Sequence, residues 1–235
     1  MPVSWYVLPG SAALSSWLGL RASLEDQARN DGNVSDETVV PQLTAIPSYQ
    51  EQHRKVFGRD LDADGVAKAI AAYVRTIVSG DSPYDRFKAG DKNAMSASAQ
   101  RGLSLFEGKA ACVRCHAGFN FTDEAYRNIG VGMDKKKPDL GRHLITKQEA
   151  DKGAFKTPTL RDVAKRGPYM HDGSEQTLRD VVAYYNKGGV KNPYLAGDIR
   201  PLGLTTQEQE DLVEFMKALT GEIDPAVGRP PMLPN

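Results

Sequence analysis

The sequence predicts an all-α fold, and two observations carry that expectation. Several windows repeat apolar residues at helical spacing, and the long stretch from Gly118 to Pro158 is rich in Gly, Asp and Lys with little periodicity of any kind. In chain order, "DADGVAKAIAAYVRTIV" places Val66, Ile70, Tyr73, Val74 and Ile77 on one stripe, which predicts a core helix with Gly80 as its stop. "SGDSPYDRFKAGDKNAMS" then reads as a connector, so a boundary is expected between a unit at 1–88 and a unit at 89–235. "SASAQRGLSLFEGKAACVRCH" predicts an amphipathic helix with Leu103 and Phe106 on its apolar face, running into the two cysteines. The aperiodic stretch that follows reads as long surface loops, which need an object to pack on. "TLRDVVAYYN" predicts a short helix stopped by Gly188 and Gly189. "LTTQEQEDLVEFMKALTGE" predicts a closing helix capped by Thr205 or Thr206. Its apolar face is Leu212, Val213, Phe215, Met216 and Leu219, with Gly221 as its stop.

Composition narrows the function classes. Of 235 residues, 40% are hydrophobic and 26% charged, which suffices for a real core. Thirty basic and thirty acidic residues cancel, so no global field recruits nucleic acid or an anionic membrane, and small molecules or other proteins are the expected partners. No stretch reaches the ~18 apolar residues of a membrane span. The opening "MPVSWYVLPGSAALSSWLGL" has no basic n-region, and Pro9, Gly10, Ser11, Ser15 and Ser16 interrupt its apolar run, so it does not read as a secretory leader.

The chain holds two cysteines, and both fall in "ACVRCHAG", which sets Cys112, Cys115 and His116 in the spacing C-x-x-C-H. In that spacing two thiols can add across the two vinyl groups of a haem while the adjacent imidazole ligates the iron from one face. A zinc site would need a fourth ligand, and no second cysteine pair exists, while His53, His143 and His171 are distant in sequence. A redox dithiol would need a βαβ context, and the surroundings read as helix and loop. Covalent haem c is therefore the expected cofactor, and the flat apolar group would be the object that the loops enclose. His53 and His143 read as surface or satisfied histidines, and Lys135, Lys136 and Lys137 as a solvated loop.

The segments "SPYDRF", "LFEGKAACVRCHAG", "DLGRHLITKQEADKGAFKTPTLRDVAKRGPYMHDGSEQTLRDVVAYYNKGG" and "LTTQEQEDLVEFMKALTGE" together resemble the C-terminal half of the bacterial di-haem cytochrome c peroxidases and their MauG-type relatives. The resemblance covers nearly everything from Asp36 onward. Upstream, "SSWLGLRASLEDQA" resembles the family's W-D-G-R-A…L-x-x-Q-A segment, and "SDET" stands where the family reads N-x-x-E-M.

The resemblance implies a cytochrome c-like helical haem domain with long loops, preceded by a helical remnant of a second such domain. Family members carry two haems: the N-terminal one binds hydrogen peroxide, and the C-terminal one takes electrons from a small donor protein, a cytochrome c or a cupredoxin. This sequence has only the second C-x-x-C-H. The expected activity is electron transfer through one haem toward peroxide reduction; the alternative is a mono-haem electron-transfer module with no peroxidase activity of its own. The resemblance matches Trp17 to the family's bridging tryptophan, Gln27 and Glu37 to its peroxide-handling polar groups, and His171 to a histidine near the C-terminal haem. Glu37 suits a proton carrier if burial raises its pKa. Tyr185 takes the position of the distal iron ligand, methionine in the peroxidases and tyrosine in MauG-type proteins, with Tyr184, Met170 and Met133 as competing donors. The family's calcium would use the carbonyls of Arg166 and Pro168, but its asparagine ligand finds no match here. A periplasmic location and a homodimer complete what the resemblance implies.

Overall fold

The computed structural model describes residues 24–31 and 34–229. The chain divides into two compact units, with residues 24–78 and 223–229 in the first and residues 79–222 in the second.

In the first unit, α1 (Leu24–Asp31), α2 (Val39–Thr44), α3 (Pro47–Phe57) and α4 (Ala63–Thr76) follow one another closely. Two of these starts have a local cause. Pro47 opens α3, where a missing N–H costs nothing, and the Asp62 carboxylate accepts from Gly65 N at 2.8 Å to cap α4. Gly58, at φ 69°, ends α3 in the left-handed region that a side chain disfavours. The apolar stripe expected to face the core of α4 does not do so. Ile70, Tyr73, Val74 and Ile77 remain 36–45% exposed, whereas Ala67 and Ala71 are fully buried. α4 packs its small-residue face on α1, because a methyl-sized surface lets two helix backbones approach closely.

The second unit holds α5 (Pro83–Lys88), α6 (Ala97–Glu107), the single turn α7 (His143–Thr146), α8 (Leu178–Lys187) and α9 (Thr206–Lys217). Its boundary falls at 78/79, earlier than the expected 88/89, because α5 is bound into this unit's interior. Ser82 and Asp85 form a capping box at the start of α5, and Arg161 Nη1 donates to Asp85 Oδ2 at 2.7 Å. Capping boxes also open α8 (Thr177 with Asp180) and α9 (Thr205 with Glu208). Gly188 closes α8 at φ 86° as expected, but α9 ends at Ala218, so Gly221 lies beyond the helix.

The crossing of α6 and α9 forms the heart of this unit. Gly102 permits it: a Cβ there would sit 2.0 Å from Asp211 O and 2.7 Å from Phe215 Cβ. Beside this contact, Phe106 and Phe215 lie 5.0 Å apart centre to centre, and Phe121 and Tyr84 add edge-on contacts. Phe215 and Leu219 are fully buried and Leu212 nearly so, as the periodicity of α9 predicts. Asp211, also buried, accepts from Ser98 Oγ at 2.6 Å and from Arg101 Nε and Nη2 at 2.8 and 2.7 Å, so its charge is matched. The stretch from Gly118 to Pro158 is not all loop. Tyr126–Arg127 and Phe155–Lys156 pair as an antiparallel ladder, too short for any sequence period to reveal.

Candidate functional site

The second unit encloses a cavity of about 410 Å³, within the range of cofactor sites. Its walls come from α6, the C-x-x-C-H turn, the segments around 127–131 and 155–171, α8 and α9. Most of the surface is apolar, supplied by Phe106, Ile129, Leu160, Val182 and Leu212 among others.

The C-x-x-C-H segment is a single 3₁₀ turn over Cys112–Arg114, entered through Ala111 at φ 53°. His116 N donates to Cys112 O at 2.9 Å, which curls the turn so that Cys112, Cys115 and His116 all line the cavity. Both thiols are free and half-buried by solvent contact. Enclosure by apolar atoms pushes the Cys112 thiol up to about 12 and raises Cys115 as well. A redox dithiol needs a lowered thiol pKa, so these cysteines do not resemble one. Among the described residues, no three His, Cys, Asp or Glu side chains converge as a metal-binding group, which leaves a zinc reading without a ligand set.

His116 has the state an iron ligand needs. Burial lowers its pKa below the usual histidine range, keeping the imidazole neutral. Its Nδ1 lies 2.9 Å from Phe121 O; with the proton placed there, Nε2 keeps its lone pair. Phe121, itself held at φ 52° in the aromatic core, thus couples the packing of α6 and α9 to the orientation of the ring.

Tyr185 lines the same cavity from α8. The residue is half-buried, and desolvation raises its phenol well above the ordinary tyrosine value. The neighbouring Tyr184 is turned away, as a shift of one helical residue requires, and donates from its hydroxyl to Ile129 O at 3.0 Å. Met133 is also absent from the cavity wall; its sulfur packs where Gly153 leaves room. Met170 does reach the wall, from a backbone position at φ 67°. His171 lines the cavity too, stacked on Phe155 at 3.6 Å between ring centres and 11° between planes, and burial keeps its imidazole below the usual pKa.

The structure therefore brings together Cys112, Cys115, His116, His171 and Tyr185, which are scattered over more than seventy positions of sequence. These residues fit a covalently held haem: two thiols in one turn, a neutral imidazole beside them, an apolar slot and a phenol in the same wall. Of the three site residues expected in the first unit, Trp17 lies outside the described residues and Gln27 lies on α1. Glu37 is exposed in the turn before α2, where the Ser35 hydroxyl holds its carboxyl below the usual range. That is the reverse of the raised pKa a proton carrier there would need.

Sequence reasoning did not single out Arg127. It lines the cavity, donates from Nη2 to Asp123 Oδ2 at 2.6 Å and from Nη1 to Thr157 Oγ1 at 3.1 Å. The four-residue spacing of Asp123 and Arg127 was its only trace in the sequence, in a stretch without helical period. Of the other histidines, His53 is buried with Nδ1 3.0 Å from Arg59 O, and His143 Nδ1 lies 2.8 Å from Gln148 O.

Comparison with known proteins agrees with this geometry. The family described as di-haem cytochrome c peroxidase matches residues 11–93, and the cytochrome c family matches residues 99–220, more than half of the chain. The methylamine utilization protein MauG of Methylorubrum extorquens is 41% identical over 228 residues, covering 93% of this chain and 63% of that protein. The cytochrome-c peroxidase IdrP1 of Denitromonas iodatirespirans is 39% identical over 256 residues, covering 93% of this chain and 68% of that protein. The chain thus spans about two thirds of the length of these relatives. Among solved structures, a MauG-like protein associated with microbial copper homeostasis superposes with a TM-score of 0.72 at 28% identity, covering 90% of this chain and 75% of that one. With an apolar cavity walled by C-x-x-C-H and a tyrosine, and with relatives of this identity along nearly its whole length, the chain belongs to the di-haem cytochrome c peroxidase and MauG family of c-type haem proteins.

Proposed function

We propose that the chain is a c-type haem oxidoreductase that passes electrons through one covalently bound haem toward the reduction of hydrogen peroxide. The convergence of Cys112, Cys115, His116 and Tyr185 on one cavity carries this reading. When bound, haem supplies the one-electron chemistry, with its potential set by the axial groups and their surroundings. The protein's own residues do the rest. Cys112 and Cys115 fix the group's edge to the 3₁₀ turn, and His116 offers Nε2 with its ring held through Nδ1 by Phe121 O. Tyr185, in the same cavity wall, would offer its Oη as a second ligand to the group. Its phenol keeps its proton while the cavity is without a cation and gives it up only to a strong local positive charge, so deprotonation at Oη is tied to loading. His171, fixed by its stack on Phe155, is assigned a hydrogen bond to the bound group.

The same reading assigns Trp17, Gln27 and Glu37 to the first unit's share of the reaction, Glu37 as an exposed polar group and not as a buried proton carrier. It takes a small redox protein, a cytochrome c or cupredoxin, as electron donor, and a homodimer as the working form. Calcium at the carbonyls of Arg166 and Pro168 lacks its asparagine and is not part of the reading. Maturation belongs in the periplasm, where haem is attached to C-x-x-C-H. No helix among the described residues is long and apolar enough to cross a membrane.

One observation favours a second reading, an electron-transfer module without peroxidase activity of its own. The first unit matches the peroxidase family, yet the sequence has a single C-x-x-C-H, in the second unit. Steady-state peroxide reduction by the haem-loaded chain with a reduced small cytochrome c separates the two. Exchange of electrons with the donor, with little or no turnover of peroxide, is the result the second reading predicts, since an iron occupied on both faces would have no open position for peroxide. Turnover in the range of typical enzymes, ~10 per second, would show that this chain carries a complete peroxidase site.

A further inference from the structure

Six cationic side chains line the cavity: Lys109, Arg114, Arg127, Lys156, Arg166 and Arg200. Four reach a carboxylate. Lys109 lies 2.7 Å from Glu208, Arg114 3.6 Å from Asp198, Arg127 2.6 Å from Asp123 and Lys156 3.8 Å from Glu124. Arg200 has no partner among the described residues but stands exposed, where water solvates its charge.

Arg166 is different. The residue is exposed too, but neighbouring protein around its guanidinium pulls its pKa down by desolvation, and its side chain is held in place. Nη2 donates to Thr159 O at 3.0 Å and to Arg161 O, and both acceptors are neutral carbonyls. The nearby acid is committed elsewhere: Asp162 Oδ1 accepts from Gly221 N at 3.1 Å and lies 3.4 Å from Lys165 Nζ. A guanidinium carries five N–H groups, so Nε and Nη1 keep three donors with no protein acceptor among the described residues. A guanidinium held at the cavity wall with its planar fork of donors free matches a carboxylate.

We propose that Arg166 is the counter-cation for a propionate of the bound haem, held at the cavity wall by the carbonyls of Thr159 and Arg161 so that its remaining donors meet that carboxylate. This rests on the covalent haem of the proposed function. Arg166 acts as a positioning and charge-setting residue, because a cation paired to the propionate favours the reduced, less positive iron.

The test uses the full, haem-loaded chain. Haem content is measured first, then the midpoint potential by spectroelectrochemistry and the propionate-bending band by resonance Raman, for wild type, Arg166→Gln, Arg166→Lys and Arg200→Gln. Arg166→Gln is expected to disfavour reduction roughly tenfold, about 59 mV for one electron, and to move the propionate band. Arg166→Lys should recover most of the potential, and Arg200→Gln should match wild type. An unchanged potential and band in Arg166→Gln overturns the assignment. So does an equal shift in the Gln and Lys variants, which would mark a purely structural tie to the two carbonyls. A wild type that attaches no haem overturns the functional reading itself, and the inference falls with it.

Discussion

At the scale of single residues, the site depends on which of two adjacent tyrosines turns inward. Tyr185 lines the cavity, while Tyr184 spends its hydroxyl on Ile129 O, so one helical step separates a candidate ligand from a tether. The expected consequence is that Tyr185→Phe in the haem-loaded chain opens the face opposite His116 and yields a cyanide-dependent shift of the absorption spectrum that wild type lacks. Met170→Leu should leave the spectrum unchanged, although Met170 also reaches the wall. Cyanide binding gained in Met170→Leu and not in Tyr185→Phe would transfer the ligand role to the methionine. The candidate ligands were legible in sequence because C-x-x-C-H is a local pattern and Tyr185 aligns within a long specific block. Arg127 and Arg166 were not, because they lie in stretches without helical period and only the fold brings them to the cavity wall.

At the scale of elements, the α6–α9 crossing sets the wall against which the cavity is built, and Asp211 ties it shut. Hydrogen bonds from Arg101, Ser98 and Gln207 bring the Asp211 carboxyl down to about 2, from an ordinary value near 3.8. The folded state therefore prefers the ionised form, and the stabilisation it gives is fully present above pH 4 and is lost as pH falls toward 2. Asp211→Asn should lower stability to denaturant by about 2 kcal/mol at pH 7 and by little at pH 2, measured by urea titration at both. An equal loss at the two pH values would show that packing, and not the charge on Asp211, ties the helices. The closing helix and its apolar face could be read from periodicity alone, but the α6–α9 contact could not: Gly102 looks in sequence like a weak point in a helix and in the structure is the condition of close approach. Periodicity misled in α4, where the large apolar residues stay exposed and the alanines are buried, since a stripe records which residues are apolar and not how near the neighbouring helix can come.

At the scale of the molecule, the second unit is built around a mostly apolar cavity. Its long segment between Gly118 and Pro158 has two-residue strands and a single helical turn for regular structure, and several of its residues face the cavity instead of a protein core. Folding and cofactor attachment are accordingly expected to be coupled. "SPYDRFK" looks in composition like a connector and in the structure is a capped helix held by Arg161 and counted with the second unit. The central claim is that this chain carries one covalent haem on Cys112, Cys115 and His116, and the most direct measurement is the haem content per chain. The full protein, produced in a host with c-type maturation machinery, is assayed by pyridine haemochrome spectroscopy after acidified-acetone extraction, beside Cys112→Ala with Cys115→Ala. The account predicts one non-extractable c-type haem per wild-type chain and a poorly folded double variant with none. A wild-type chain that is well folded and free of haem, or whose haem is removed by the extraction, would contradict it.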